Sequence, residues 1–197
     1  MKLLRNSSIF LLLLLLTGCL VTKHILPYAI ISPTRCTDEQ IRKDFPKGNL
    51  PTDYHLRFDT LDIVVRDSIR LKGWFIHSSI EASHGTVIVL HGISSCKEHQ
   101  LPLAELLTHE GYNVIAFDLP AHGKSEGVYT TFGFYERHDI VTLIDSVLHN
   151  YQDVEPIGIT GHSLGGAIAV QTMAIDDRIK CGIIQSTRVP LQQCHRL

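Results

Sequence analysis

Four short runs constrain this chain more than any other feature. Residues 86–90, 113–117, 156–160 and 181–185 are largely apolar and do not alternate. A strand with one wet face alternates apolar and polar residues, whereas unbroken runs of this length suit strands covered on both faces, as in a parallel sheet. Helical patterns separate them. Pro102 suits the first turn of a helix that has Leu103, Leu106 and Leu107 on one face and Gly111 just past its end. Over residues 134–151, Ile140, Ile144, Val147, Leu148 and Tyr151 form an apolar stripe at helical spacing. A third helix is expected over residues 166–175. Upstream, Leu56, Phe58, Leu61, Ile63 and Val65 nearly alternate, with one slip that a bulge would explain. Asp67 and Ser68 then turn the chain, and residues 69–77 alternate again through Leu71, Gly73 and Phe75. An antiparallel hairpin followed by alternating strands and helices predicts an α/β fold with a mostly parallel, doubly wound sheet.

The first eighteen residues stand apart from that grammar. Lys2 and Arg5 precede an unbroken apolar run over residues 9–16, which ends in Leu16-Thr17-Gly18-Cys19. Eight apolar residues are too few for a spanning helix, which needs about 20, so the run reads as the core of a signal peptide. Leu-Thr-Gly-Cys resembles the lipobox of bacterial lipoproteins. That resemblance implies cleavage before Cys19, acylation of its thiol, and attachment of the mature chain to a membrane, with the outer membrane expected from Leu20 after the cysteine. An ordinary secretory signal is the alternative. Residues 19–53 carry Pro27, Pro33, Pro46 and Pro51 without sustained periodicity and read as a tether and lead-in.

Cys36, Cys96, Cys181 and Cys194 remain. An exported chain meets conditions in which disulfides form, but the spacings match no zinc pattern, and free or buried thiols are the plain reading. A net charge of −2 over 197 residues, with no basic block, gives no reason to expect nucleic acid as a partner. No cofactor or metal is implied.

The chemistry concentrates at Gly161-His162-Ser163-Leu164-Gly165, between a predicted strand and a predicted helix. This is the setting in which G-x-S-x-G forms a nucleophile elbow, a sharp turn that leaves the serine hydroxyl exposed above the sheet. The following helix directs unpaired N–H groups and the positive end of its dipole at a developing oxyanion. Leu90-His91-Gly92-Ile93-Ser94 follows the first parallel strand, so the Ile93 N–H can face Ser163 and join that of Leu164 in an oxyanion hole. His91 is expected to bond loop backbone rather than act as a base.

His91-Gly92, residues 118–127 (Asp-Leu-Pro-Ala-His-Gly-Lys-Ser-Glu-Gly) and residues 161–165 together resemble the α/β-hydrolase superfamily. Gly73-Trp74-Phe75 and Thr131-Phe132-Gly133 with Glu136 and Asp139 resemble its serine-aminopeptidase-like and esterase-like branch. The resemblance covers about residues 54–187. It implies that Ser163 is the nucleophile, that Ile93 and Leu164 are the oxyanion donors, and that small-molecule esters or amides are hydrolysed through an acyl-enzyme. Ala121 stands where the family usually has glycine, implying a small backbone adjustment.

In the family's chain order the acid and the general-base His follow the serine. Here Asp176 and Asp177 precede the strand at 181–186 and are expected at the wrong edge of the sheet. His195 is the only later histidine, and no acid in the family's context would orient it. Residues 188–197 follow no family pattern. The resemblance therefore implies a partial domain over residues 54–187 with its last strands, acid and His missing, as a frameshift after Thr187 would produce. The competing expectation is a non-catalytic remnant that serves as a binding or scaffold protein.

Overall fold

The computed structural model describes residues 13–23 and 26–185. Within them, α1 (13–23), α2 (Leu26–Ile31) and α3 (Asp38–Asp44) precede the hairpin of β1 (Phe58–Val64) and β2 (Arg70–Ile76). There follow β3 (Thr86–Leu90), α4 (Leu101–His109), β4 (Asn113–Phe117), α5 (Glu136–Asn150), β5 (Ile157–His162), α6 (Leu164–Met173) and β6 (Ile179–Gln185). The strands form one sheet in the order β1-β2-β4-β3-β5-β6. β1 and β2 pair antiparallel, as do β2 and β4, while β4, β3, β5 and β6 run parallel. This is the α/β-hydrolase architecture anticipated above. β6 is an edge strand of the sheet the described residues form, and Ile183 on it is 47% exposed.

The unbroken apolar runs form strands because both sheet faces are covered. On one face Leu71, Phe75, Ile88, Ile115 and Phe117 pack against Ile140, Leu143 and Ile144 of α5 and Ile168 of α6. On the other, Trp74, Ile76, Val89, Val114 and Ala116 pack against Leu101 and Ala104 of α4. Burying one such aliphatic side chain contributes about 1.5–3 kcal/mol, so the two layers together supply the driving force for the sheet.

Three local expectations change. The slip in the first strand is no bulge, because β1 pairs with β2 without a register shift. It marks a change of face instead: Leu56 and Phe58 join Trp74 in the layer under α4, whereas Leu61, Ile63 and Val65 join the layer under α5. In α4 the fully buried residues are Leu101, Ala104 and Thr108, while Leu106 is 58% exposed. Ala104 and Thr108 are small enough to bring the helix close to the sheet, and the Thr108 hydroxyl is satisfied by donating to the Ala104 carbonyl at 2.9 Å.

The lead-in is also more than a tether. Ile41 is buried, and α3 opens with a capping box between Thr37 and Gln40. The Thr130 N–H donates to the Ile31 carbonyl at 2.8 Å. Arg35 donates to the carbonyls of His122, Gly123, Ser125 and Gly127 at 2.6–3.1 Å. One side chain thus gathers four backbone acceptors, an arrangement that leaves no periodicity in the sequence. At the other end of the lead-in, the run Leu13–Ile31 is apolar and long enough to cross a membrane by length and composition, with a mean hydropathy of 1.6 and none of its described residues buried. A signal sequence has the same character. Cys19 lies exposed within it. Residues 1–12 and 186–197, with the basic signal residues, Cys194 and His195, lie outside the described residues.

Candidate active site

An open α/β sheet binds ligands at the carboxyl ends of its strands, where the strand order reverses. Here that point lies between β3 and β5, since the chain leaves β3 for β4 on one side and returns to β5 on the other. Leu90 at the end of β3 lies opposite Gly161 in β5, so the loop after β3 and the turn after β5 face each other.

Ser163 sits in that turn, exposed, with φ 53° and ψ −114°. Only the packing around it holds a non-glycine residue there. A Cβ on Gly161 would lie 2.3 Å from the Gly165 carbonyl, and one on Gly165 would lie 2.4 Å from the Leu90 carbonyl oxygen. The two glycines therefore let α6 leave β5 steeply and press against the end of β3. The Ser163 N–H donates to the Gln185 carbonyl at 2.9 Å, tying the turn to β6.

Gly92 approaches from the other side, its absent side chain aimed at positions 3.2 Å from His162 Nδ1 and 3.5 Å from the Ser163 Cβ. Ile93, next in the chain, lines a cleft of about 520 Å³ together with Gly92, Ser95, His99, His162 and Ser163. Leu164 is the first residue of α6, where helix N–H groups lack intrahelical partners. Ile93 and Leu164 thus flank Ser163 from two different elements. Among the described residues, no side chain hydrogen-bonds the Ser163 hydroxyl. A smaller cavity of about 160 Å³, lined by Arg57, His77, Ser78 and Asn113, lies at the opposite edge of the sheet near the start of β4.

His91 is fully buried and holds two loops together. Its Nε2 accepts from the Leu119 N–H at 3.0 Å, so Nδ1 carries the proton and donates to the Gly92 carbonyl at 2.8 Å. Burial, opposed by that backbone bond, drops its pKa from 6.5 to about 4. His122, 5.0 Å away ring to ring, is also pushed down by burial, and its Nε2 finds no hydrogen-bond partner among the described residues. Because the folded chain protonates His91 less readily than the unfolded chain, stability is complete above pH 6.5 and falls as the pH drops toward 4. The loss attributable to His91 is about 3 kcal/mol. Denaturant titrations from pH 7 to pH 4 are expected to show it, with a flatter profile in His91→Gln; an unchanged slope in that variant would remove His91 as the cause.

Asp176 and Asp177 lie ahead of β6, at the edge of the sheet opposite Ser163. Arg178 binds both Asp176 oxygens at 2.6 and 2.8 Å and holds that carboxyl below its usual range. Glu136 and Asp139 are structural as well. Glu136 accepts from Thr131 and Gly133 at 2.6–2.8 Å, and Asp139 accepts from Arg66 at 2.9 Å. Ala121 lies buried at φ 65°, in the left-handed region that favours glycine.

A family model described as the alpha/beta hydrolase fold matches residues 85–196. The uncharacterized protein YfhR of Escherichia coli K12 is 32% identical over 136 residues, covering 66% of this chain and 47% of that protein. The YqkD protein of Bacillus subtilis is 26% identical over 166 residues, covering 80% of this chain and 54% of its own length. The chain thus spans about half the length of the curated relatives it matches. The structure of the esterase Pf2001 of Pyrococcus furiosus superposes with a TM-score of 0.65 at 36% identity, over 77% of this chain and 56% of the esterase. With the sheet order, the turn at Ser163 and the loop at Gly92 already pointing the same way, these matches establish that the chain belongs to the alpha/beta hydrolase fold family.

Proposed function

We propose that this chain carries the nucleophile side of a serine hydrolase for small-molecule esters, held at a membrane through its N-terminal segment. The observation that carries the reading is Ser163, exposed in a strained turn between β5 and α6 and facing Ile93 across the cleft. In this reading Ser163 Oγ attacks the ester carbonyl, and the N–H groups of Ile93 and Leu164 receive the negative charge that develops on the oxygen. Each such donor contributes about 3–4 kcal/mol to the transition state. Collapse of the tetrahedral species expels the alcohol, and water then resolves the acyl-enzyme. The serine proton needs an acceptor, and His195, the only histidine after Ser163, lies outside the described residues. The similarity to an esterase, and to the human monoglyceride lipase (35% identical over 91 residues, 29% of that enzyme), supports an ester as the substrate class.

A fluorophosphonate probe tests the reading directly. Labelling is expected on Ser163 and absent in Ser163→Ala. A folded sample that takes no label would instead favour a non-catalytic binding or scaffold protein. The anchor has its own test: palmitate incorporated by cells expressing the chain is expected to disappear in Cys19→Ala, and incorporation that persists would argue against lipidation at that position.

A further inference from the structure

We propose that Cys36, Cys96 and His99 form a binding site for a divalent cation of borderline softness, of the Zn²⁺ type. Their donor atoms all lie within 4.8 Å of one another, with Cys96 Sγ 3.3 Å from His99 Nδ1. Sequence spacing hides the group, because Cys36 comes from the lead-in and the other two from the turn after β3. Zn²⁺ holds sulfur and nitrogen ligands at about 2.0–2.3 Å, so a small convergence of these side chains closes a three-ligand site. Two thiolates and an imidazole suit Zn²⁺, whereas Mg²⁺ and Ca²⁺ take oxygen.

Each ligand is held by something else. Cys96 precedes the 3₁₀ turn Lys97–Gln100, and the His99 N–H donates to the Cys96 carbonyl at 3.2 Å. Three residues make one turn of such a helix, so residues 96 and 99 stand one above the other. His99 Nε2 lies 3.6 Å from Asp44, and the Phe45 ring packs edge-on 5.0 Å away. A carboxylate at one imidazole nitrogen directs the other at the ion, as is usual around metal-bound histidines. Cys36 is fixed by its neighbour Arg35, clamped to four carbonyls, and its Sγ lies 3.8 Å from the Ser94 carbonyl. An ion here would fasten the lead-in to the loop that carries Ile93, with its fourth position open to solvent at the exposed His99. Binding displaces the thiol protons, so uptake strengthens as pH rises.

The test uses the purified full chain, reduced and stripped by a chelator, titrated with Co²⁺ and then with Zn²⁺. One equivalent of Co²⁺ is expected to give thiolate-to-cobalt charge-transfer absorption that Zn²⁺ abolishes. Apparent affinity is expected to fall at least about tenfold in Cys36→Ser, in His99→Gln and, with the band shape kept, in Asp44→Asn. His99 and Asp44 are exposed, so those variants remain folded and keep the comparison interpretable. The proposal is overturned if the reduced, folded chain shows no charge-transfer band. It is equally overturned if the band survives Cys36→Ser and His99→Gln together, or if Cys36 and Cys96 are recovered from the native protein as a disulfide-linked peptide pair.

Discussion

Ser163→Gly is expected to stabilise the folded chain by about 1 kcal/mol while abolishing its reaction with a phosphonate and lowering any ester turnover on the order of 10⁶-fold. The two effects have one source. At φ 53° and ψ −114° the serine occupies a region that glycine enters freely and other residues enter only under constraint. Such a conformation costs about 1–3 kcal/mol, and the extra freedom of glycine in the unfolded chain returns about 0.5–1 kcal/mol of that gain. Ser163→Ala keeps the strain and loses the hydroxyl, so its stability is expected to stay near that of the parent chain. The contrast between the two variants in urea titrations therefore isolates the backbone term. A glycine variant no more stable than the alanine variant would show that the turn stores no strain at Ser163. In the proposed reading of Ser163 as the nucleophile, a side chain held in this way is aimed before substrate arrives.

The elbow was legible in the sequence because its physics is local. Gly161 and Gly165 stand where an added Cβ would meet backbone at 2.3–2.4 Å, and a strand and a helix flank them within a few residues. The parallel strands were legible for a related reason, since burial on both faces writes itself as an unbroken apolar run. What escaped depends on partners distant in the chain. Nothing near Leu56 and Phe58 announces that they face α4 while Leu61 and Ile63 face α5. The four carbonyls that Arg35 gathers lie some ninety residues downstream. Cys36 meets Cys96 and His99 only because the lead-in folds back over the loop after β3. In α4 the eye follows the leucines, but Ala104 and Thr108 make the close contact because they are small. Periodicity records how a segment meets a surface; it does not record a single side chain meeting a distant loop.

Lys97→Met is expected to destabilise the chain by about 3–5 kcal/mol even though methionine matches the lysine in length and is readily buried. Lys97 is 4% exposed, and its ammonium donates to Asp118 at 2.8 Å and to Glu98 at 3.0 Å, lying 4.9 Å over the Trp74 ring. Burial alone would pull its pKa down, but the two carboxylates outweigh burial and raise it, so the charged form is the one the fold selects. Asp118 in turn accepts from the N–H groups of Lys97 and Lys124 at 2.8–2.9 Å, linking the turn after β3 to the loop after β4. Removing the ammonium leaves two buried carboxylates facing each other with no cation between them, and that residue of charge, rather than the lost contact, sets the size of the effect. A double-mutant cycle separates the two. In an Asp118→Asn background, which keeps a carbonyl acceptor but removes one charge, Lys97→Met is expected to cost about 1–3 kcal/mol less than in the parent chain. Equal costs in the two backgrounds would mean that the charge of Asp118 contributes nothing to holding Lys97, and that the ion pair between the turn after β3 and the loop after β4 is not what fastens them.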